Sequence, residues 1–331
     1  MPNKKILITG ANGFIGTYLI EKSISLGMDV YCAVRANSNI TSIKDTAASI
    51  ITVDYHDIPE MTKMMAEYQF DYIIHNVGLT KSPDPDAYMR VNKDLLVNLV
   101  EAIKKSNLKI SKLLFVSSLA SYGPADFQTG SIVRDDSKPH PVTHYGRSKL
   151  AAENYLRSQS DIPYIILRPT AVYGPGEKDL LNVFQLVNKR IDIHPGLMPG
   201  KFTFIYIKDL TELIMAALMS DQKNKGYFAT DGNIYLSNAL SGFIAEALQK
   251  RTLKIKIPIF LLKGIAYASE KVAGYWDSYP PLNVDKMNEI KAKNWNCDVS
   301  NLQKDLGWEA QYDLQKGVVE TVAWYKKHKW L

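Results

Sequence analysis

The 331-residue chain has only two cysteines, Cys32 and Cys297, so it holds no disulfide framework, and Cys32 sits in an apolar run where it serves as a small hydrophobe. A reducing, cytoplasmic setting is expected from that usage. Neither sign of charge dominates: 40 basic against 34 acidic residues leave a formal +6, too mild and dispersed to argue for nucleic acid. Lys326-Lys327-His328-Lys329 reads as a solvated helix end. The six histidines, His56, His75, His140, His144, His194 and His328, show no ligand spacing, and no metal site is expected. Long uncharged apolar runs are also missing. Residues 255–276 come nearest, but Lys254, Lys256, Lys263, Glu270 and Lys271 flank or interrupt them, which excludes a membrane span; the stretch reads as an amphipathic helix over a pocket rather than an interfacial anchor. Met1-Pro2-Asn3-Lys4 leads straight into an apolar run, leaving no room for a signal peptide. There are no internal repeats or low-complexity tracts.

What is present begins with a glycine turn, Thr9-Gly10-Ala11-Asn12-Gly13-Phe14-Ile15-Gly16. Lys5-Ile6-Leu7-Ile8 reads as a buried parallel strand, and residues 14–26 have helical apolar spacing that stops at Gly27. Between strand and helix, Gly10 permits the tight turn, Gly13 lets a pyrophosphate approach the backbone, and Gly16 lets helix and sheet pack closely. The helix N-terminal amides then face the anion. Dinucleotide binding is expected. The next strand, residues 29–34, ends where a carboxylate would hold a free ribose 2′-hydroxyl; here Arg35 follows Val34, a cation suited to a 2′-phosphate. NADP(H) is therefore expected over NAD(H), with Lys44 a second phosphate contact.

With 46% hydrophobic and 22% charged residues the chain can bury a large core. Strands are expected at 6–9, 29–34, 49–53, 72–76, 112–117 and 164–167, with helices between them, notably 85–106 and 145–158. The alternation argues for an α/β, doubly wound parallel (Rossmann) sheet. It becomes irregular after Tyr173-Gly174-Pro175-Gly176, and Pro195, Gly196, Pro199 and Gly200 cluster there. The expected division is a nucleotide-binding domain over 1–170 and a smaller C-terminal α/β substrate region over 171–331, interleaved because a segment near 205–232 returns its strand at 226–230 to the sheet.

Tyr145 and Lys149 stand one helical turn apart on the same face, downstream of Ser117-Ser118. Hydride exchange at a ketone or alcohol needs a proton donor or acceptor near the oxygen, and a phenol with a pKa of about 10 is a poor base at neutral pH. The Lys149 ammonium, helped by an oxidised nicotinamide, is expected to lower the Tyr145 pKa. Ser118, at a strand's C-terminal end, would hold the substrate oxygen beside the phenol.

These motifs, together with Asp54, Asn76-Val77-Gly78, Asn92, Tyr122-Gly123, Tyr145-Gly146-Arg147-Ser148-Lys149, Arg168-Pro169-Thr170 and Tyr173-Gly174-Pro175, resemble the extended short-chain dehydrogenase/reductases, the NAD(P)-dependent epimerase/dehydratase superfamily, over nearly the whole chain. The resemblance implies Ser118, Tyr145 and Lys149 as catalytic. It implies cofactor contacts from Gly10, Asn12, Gly13, Phe14, Ile15, Gly16, Asp54, Tyr55, Val77, Gly78, Asn92, Ser117, Pro169 and Thr170, beside Arg35. Asp54 would meet the adenine, Lys149 the nicotinamide ribose, and Pro169 and Thr170 the nicotinamide amide. Helices 85–106 and 145–158 resemble those that build a dimer in this superfamily, and a homodimer is expected.

Leu119 and Ala120 follow Ser118 where dehydratases carry an acid pair, which argues against sugar dehydration. Nucleotide-sugar epimerases need cations for a diphosphate, yet Phe202-Thr203-Phe204 occupies one such place and no arginine follows Arg251. Phe202, Phe204, Tyr206, Phe260, Leu261, Tyr267, Tyr275 and Trp276 are available for an apolar pocket. Val34-Arg35, that pocket and the pattern over 282–295 are similar to the dihydroflavonol 4-reductase and 3β-hydroxysteroid dehydrogenase branch. The leading expectation is an oxidoreductase acting on a hydroxyl or ketone of a lipophilic or aromatic small molecule. The alternative is a nucleotide-sugar epimerase or reductase with the same Ser-Tyr-Lys site, and a redox-inactive dinucleotide binder is a third.

Overall fold

Apolar runs covered on both faces become parallel strands, and seven of them build the main sheet of this computed structural model, which describes residues 3–196, 198–273 and 284–331. In chain order the elements are β1 (Lys5–Thr9), α1 (Phe14–Ser25), β2 (Asp29–Val34), β3 (Ser49–Thr52), α2 (Ile58–Tyr68), β4 (Tyr72–His75), α3 (Pro85–Met89), α4 (Leu95–Lys105), β5 (Lys112–Val116), α5 (His144–Arg157), β6 (Tyr164–Pro169), β7 (Ala171–Tyr173) and α6 (Leu181–Asn188). There follow β8 (Ile191–Pro195), β9 (Lys201–Phe202), β10 (Phe204–Tyr206), α7 (Ile207–Met219), β11 (Lys225–Ala229), β12 (Tyr235–Leu236), α8 (Ala239–Ala247), β13 (Leu253–Ile257), α9 (Ile259–Ala273), α10 (Val284–Lys291), α11 (Ser300–Leu306) and α12 (Leu314–Lys327). The sheet runs β11-β6-β5-β4-β1-β2-β3 with every pair parallel. The chain winds outward one way from β1 and the other way from β4, so the crevice at their carboxyl ends is the ligand position of such folds.

The strands alternate between two cores. Ile6 and Ile8 of β1, Leu114 of β5 and Leu167 of β6 join one core with Leu210, Leu213 and Ile214 of α7. Leu7, Leu113, Phe115 and Ile166 point the other way, onto Leu96 and Leu99 of α4 and Ala152 and Leu156 of α5. Each buried Leu or Ile contributes about 1.5–3 kcal/mol. A third core joins β7, β10, α6, α8 and α12 through Tyr173, Phe184, Tyr206, Ile244 and Val318. Strand β11 pairs with β6 at the edge of the sheet, with Phe228 opposite Arg168.

Two helices differ from the sequence reading. The 85–106 helix is interrupted by a π turn over Arg90–Asp94, because Asn92 gives its side chain to the backbone of Leu79. The 255–276 stretch is not one helix: Leu253–Ile257 pairs with β8 as a strand, Pro258 breaks the chain, and the helix starts at Ile259. Among the described residues, no helix is long and apolar enough to cross a membrane.

Candidate active site

The glycine turn closes on itself. Gly13 N–H donates to the Gly10 carbonyl at 3.1 Å, and Asn76 Nδ2 reaches the same oxygen at 3.3 Å. Gly10 has φ +65°, and a β-carbon there would lie 2.8 Å from the Asn76 carbonyl oxygen; one on Gly16 would lie 2.3 Å from that of Gly10. Neither position accepts a side chain, whereas a β-carbon on exposed Gly13 meets only the Gly10 oxygen at 3.3 Å. Helix α1 starts on Gly13 with no side-chain cap and no acid in its first turn. Its free amides therefore face outward over a bare glycine, the arrangement an anionic pyrophosphate requires. The residues present fit a dinucleotide.

Around this cradle the predicted contacts divide. Asn12 ties the turn to the loop after β2 through the Asn39 carbonyl at 3.1 Å, and Arg35 is exposed just beyond β2. Asp54 is exposed and caps its own loop at His56 N, 2.9 Å. Phe14 and Ile15 are half-buried and pack their side chains toward the third core, so their backbone is what faces a ligand. Tyr55 belongs to the second core, and burial drives its phenol far up. Val77 packs against that core, and a β-carbon on Gly78 would stand 3.3 Å from Lys149 Nζ. Thr170 gives its hydroxyl to the Ala229 carbonyl at 3.3 Å, and Pro169 is buried at the end of β6. Ser117 Oγ donates to Glu153 at 2.5 Å, away from any role as a free hydroxyl. Lys44 is exposed.

The three candidate catalytic residues are brought together. Thr143 caps α5 through Gly146 N at 3.0 Å, which starts the helix that carries Tyr145 and Lys149. Ser118 follows β5, is half-buried, accepts from Ala120 N at 3.2 Å, and its hydroxyl lies near enough to draw the Tyr145 pKa down. Lys149 is buried; its Nζ donates to the Val116 carbonyl at 2.9 Å and stands 4.8 Å over the Phe115 ring. Burial pulls its pKa down to about 8, opposed by the carboxylate of Glu153.

Tyr145 corrects one expectation. Its phenol is pushed up to about 12 rather than lowered, because burial outweighs the hydrogen bond from Ser118, and Glu289 and Asp179 add negative charge nearby. The protein alone holds the tyrosine as a proton donor.

The sequence reading missed the layer beneath. His75 ends β4 fully buried, with Nδ1 3.1 Å from Thr9 Oγ1 and Nε2 without a partner. Burial, then Lys149, pushes its pKa down to about 3, so it is neutral. Glu153, one turn after Lys149, accepts from Ser117, Ser121, Arg157 and Arg168. Its i+4 spacing from Lys149 was a usable signal. Asp285 of α10 accepts from His144 N at 3.1 Å, at the start of the Tyr145 helix; no spacing could have announced that.

The expected apolar lining is not assembled as such. Phe204 and Tyr206 are core residues, Phe202 is half-buried against that core, and Phe260, Leu261 and Tyr267 are exposed. Tyr275 and Trp276 lie outside the described residues. Among the described residues no group of His, Cys, Asp and Glu is arranged to hold a metal.

Comparison with known proteins places this geometry. Residues 6–229 match the model of the NAD dependent epimerase/dehydratase family. UDP-glucose 4-epimerase of Vibrio cholerae is 26% identical over 96% of this chain and 94% of its own. Ceramide reductase of Caulobacter vibrioides is 25% identical over 98% of this chain and 96% of its own. Among solved structures, the Bordetella bronchiseptica enzyme WbmG in complex with NAD superimposes with a TM-score of 0.79 at 19% identity, covering 99% of this chain and 96% of that one.

Proposed function

The chain belongs to the NAD dependent epimerase/dehydratase family, and from that premise we propose that it is an NAD(P)-dependent oxidoreductase acting on a hydroxyl or ketone carbon of a lipophilic or aromatic small molecule. One observation carries the substrate class. Where a substrate diphosphate would need an arginine, the chain places Phe202 on β9, its ring half-buried, and no arginine occurs in the remaining 252–331. Lysines could substitute there, but as point charges they lack the bidentate fork by which arginine holds a diphosphate.

When bound, the nicotinamide supplies or accepts the hydride. The glycine turn and the α1 amides would hold the pyrophosphate, and Gly78, Lys149, Pro169 and Thr170 would hold the nicotinamide end. Tyr145 gives its proton to the substrate oxygen in reduction and takes it back in oxidation. Ser118 donates a hydrogen bond that keeps that oxygen beside the phenol. Lys149 presents a buried cation that favours phenolate each time the proton leaves. Arg35 favours NADP(H), and the α4 and α5 helices support a homodimer; light scattering at monomer mass would contradict the latter.

Nucleotide-sugar epimerisation is the second reading, favoured by the match to the Vibrio cholerae epimerase along nearly both full lengths. Hydroxysteroids, flavonoids and long-chain ketones should be screened against UDP- and dTDP-sugars, following cofactor absorbance and product stereochemistry. Net cofactor turnover on the apolar panel supports the first reading. Isomerised sugar with no net turnover overturns it in favour of the second.

A further inference from the structure

Near the carboxyl ends of three adjacent strands, Thr9, His75 and Phe115 form one row across the sheet. Thr9 of β1 pairs in register with His75 of β4, and His75 with Phe115 of β5. Register neighbours on parallel strands direct their side chains to the same face, and Phe115 belongs to the core on the α4 and α5 side. Lys149 reaches the end of this row from α5. Its Nζ stands 4.8 Å over the Phe115 ring, donates to the Val116 carbonyl at 2.9 Å, and lies 3.3 Å from where a β-carbon on Gly78 would sit. The imidazole of His75 packs on the same phenyl ring, with centroids 5.9 Å apart at 33°. Ammonium and imidazole are thus neighbours in one buried layer.

Hydrogen bonding decides where that imidazole carries its proton. The ring is fully buried, and burial, then Lys149, holds it neutral. Nδ1 lies 3.1 Å from Thr9 Oγ1, which also accepts from Asn76 N–H at 3.2 Å, and Nε2 has no hydrogen-bond partner among the described residues. With the proton on Nε2, a buried N–H would go unsatisfied near the Lys149 charge, the costlier arrangement. With the proton on Nδ1, Thr9 accepts it and Nε2 keeps a lone pair, which a nearby cation favours. The Thr9 proton is then free for the buried Tyr55 hydroxyl, which lies near enough for Thr9 to draw its pKa down against the larger effect of burial.

We propose that His75 is a positioning residue for Lys149: anchored on Thr9 through Nδ1–H, it offers the Nε2 lone pair to the buried ammonium and keeps that cation at the carboxyl ends of β4 and β5. Because Thr9 leads directly into Gly10, one hydroxyl sets both the glycine turn and the layer beneath the ammonium. The other ionisable groups here are few. Glu153, one turn on, is the carboxylate that acts on Lys149 and is itself held by Ser117, Ser121, Arg157 and Arg168. Tyr145 shares the helix, and Lys93 and Asp94 of the π turn pair with each other at 3.0 Å. The inference rests on the reading of Ser118, Tyr145 and Lys149 as the reaction centre, but its decisive test needs no substrate.

NMR of the full chain labelled with 15N-histidine reads the tautomer, with His75→Leu identifying the signal. His75 is expected to be neutral across about pH 6–9 with its proton on Nδ1. Labelling with 13C-lysine, assigned through Lys149→Met, then follows the ammonium. Its midpoint, about 8 in the wild type, should fall in His75→Leu by about one pH unit, a tenfold loss of ammonium above the midpoint. His75→Gln, whose amide oxygen can stand in for Nε2, should restore most of it, and the falling limb of the pH–rate profile should move with the midpoint. A proton on Nε2, a protonated ring at neutral pH, or a Lys149 midpoint unmoved in folded His75→Leu or lowered equally by Leu and Gln would overturn the proposal. The wild-type tautomer decides alone if the variants do not fold. A failed substrate screen leaves both NMR readings standing, whereas a failed NMR result beside an inactive Tyr145→Phe strikes this inference and spares the reaction centre.

Discussion

Arg168 Nε lies 3.0 and 3.2 Å from the two carboxylate oxygens of Glu153, and both side chains are buried. The guanidinium also lies over the Tyr122 and Phe228 rings, 4.6 and 5.1 Å from their centroids, and reaches Asp135 at 3.2 Å. Strand β6 thereby grips the helix that carries Tyr145 and Lys149. Arg168→Met leaves a buried carboxylate with two hydroxyls and the exposed Arg157, and should cost about 3–5 kcal/mol of stability in a denaturant titration. A loss below about 1 kcal/mol would show that the pair holds nothing.

The pH dependence follows from Lys149, whose pKa burial lowers from 10.5 to about 8. Below about pH 8 the ammonium is present in folded and unfolded chains alike, and its full burial cost weighs on the fold. Between about 8 and 10.5 the unfolded chain holds the proton and the folded one does not, so this group's contribution to stability rises with pH. Carbonyl reduction should do the opposite and fall through about pH 8 as the cation beside Tyr145 is lost. Glu153→Gln removes the charge that supports the ammonium and should move that limb to lower pH. A pH–rate profile with an unmoved limb would contradict this role for Glu153.

Substitutions in the glycine turn separate folding from binding. Gly16→Ala forces a β-carbon to 2.3 Å from the Gly10 oxygen and should damage both the fold and cofactor binding. Gly13→Ala meets one oxygen at 3.3 Å. It should keep its unfolding midpoint while weakening cofactor binding at least about tenfold, as a methyl group covers the amides offered to the pyrophosphate. Calorimetric titration checks this, and a Gly13→Ala protein that binds like wild type would place the pyrophosphate elsewhere.

Arg35 stands exposed where β2 ends, so NADP(H) should show the lower Michaelis constant and Arg35→Asp should reverse the order. Equal or NAD-favouring constants in the wild type would remove the preference.

The sheet was legible because β1, β4, β5 and β6 carry short apolar runs such as Ile6-Leu7-Ile8 and Ile165-Ile166-Leu167, as strands covered on both faces do, and the glycine turn marked its first crossover. Ser118, Tyr145 and Lys149 were legible through their order and one-turn spacing. What eluded the sequence was set by tertiary contact. Arg168 and Glu153 are fifteen residues apart and meet only because β6 lies beneath α5. The fate of Phe204 and Tyr206 depended on a third core that hydrophobicity alone does not distinguish from a pocket wall. Lys254 and Lys256 were read as interruptions of a helix, whereas they alternate on a strand whose partner, β8, lies some sixty residues earlier. The acidity of Tyr145 was misjudged because spacing announces an ammonium one turn away but says nothing of the burial that pushes the phenol up.

The most direct measurement compares Tyr145→Phe with wild type in single-turnover hydride transfer, using whichever substrate the screen identifies and cofactor at saturation. The side chain keeps its ring and loses only the proton. The rate should fall by about 10²–10⁴-fold with cofactor affinity within about twofold of wild type. An unchanged rate would mean that this phenol moves no proton, and the site would be reduced to a holder of the dinucleotide.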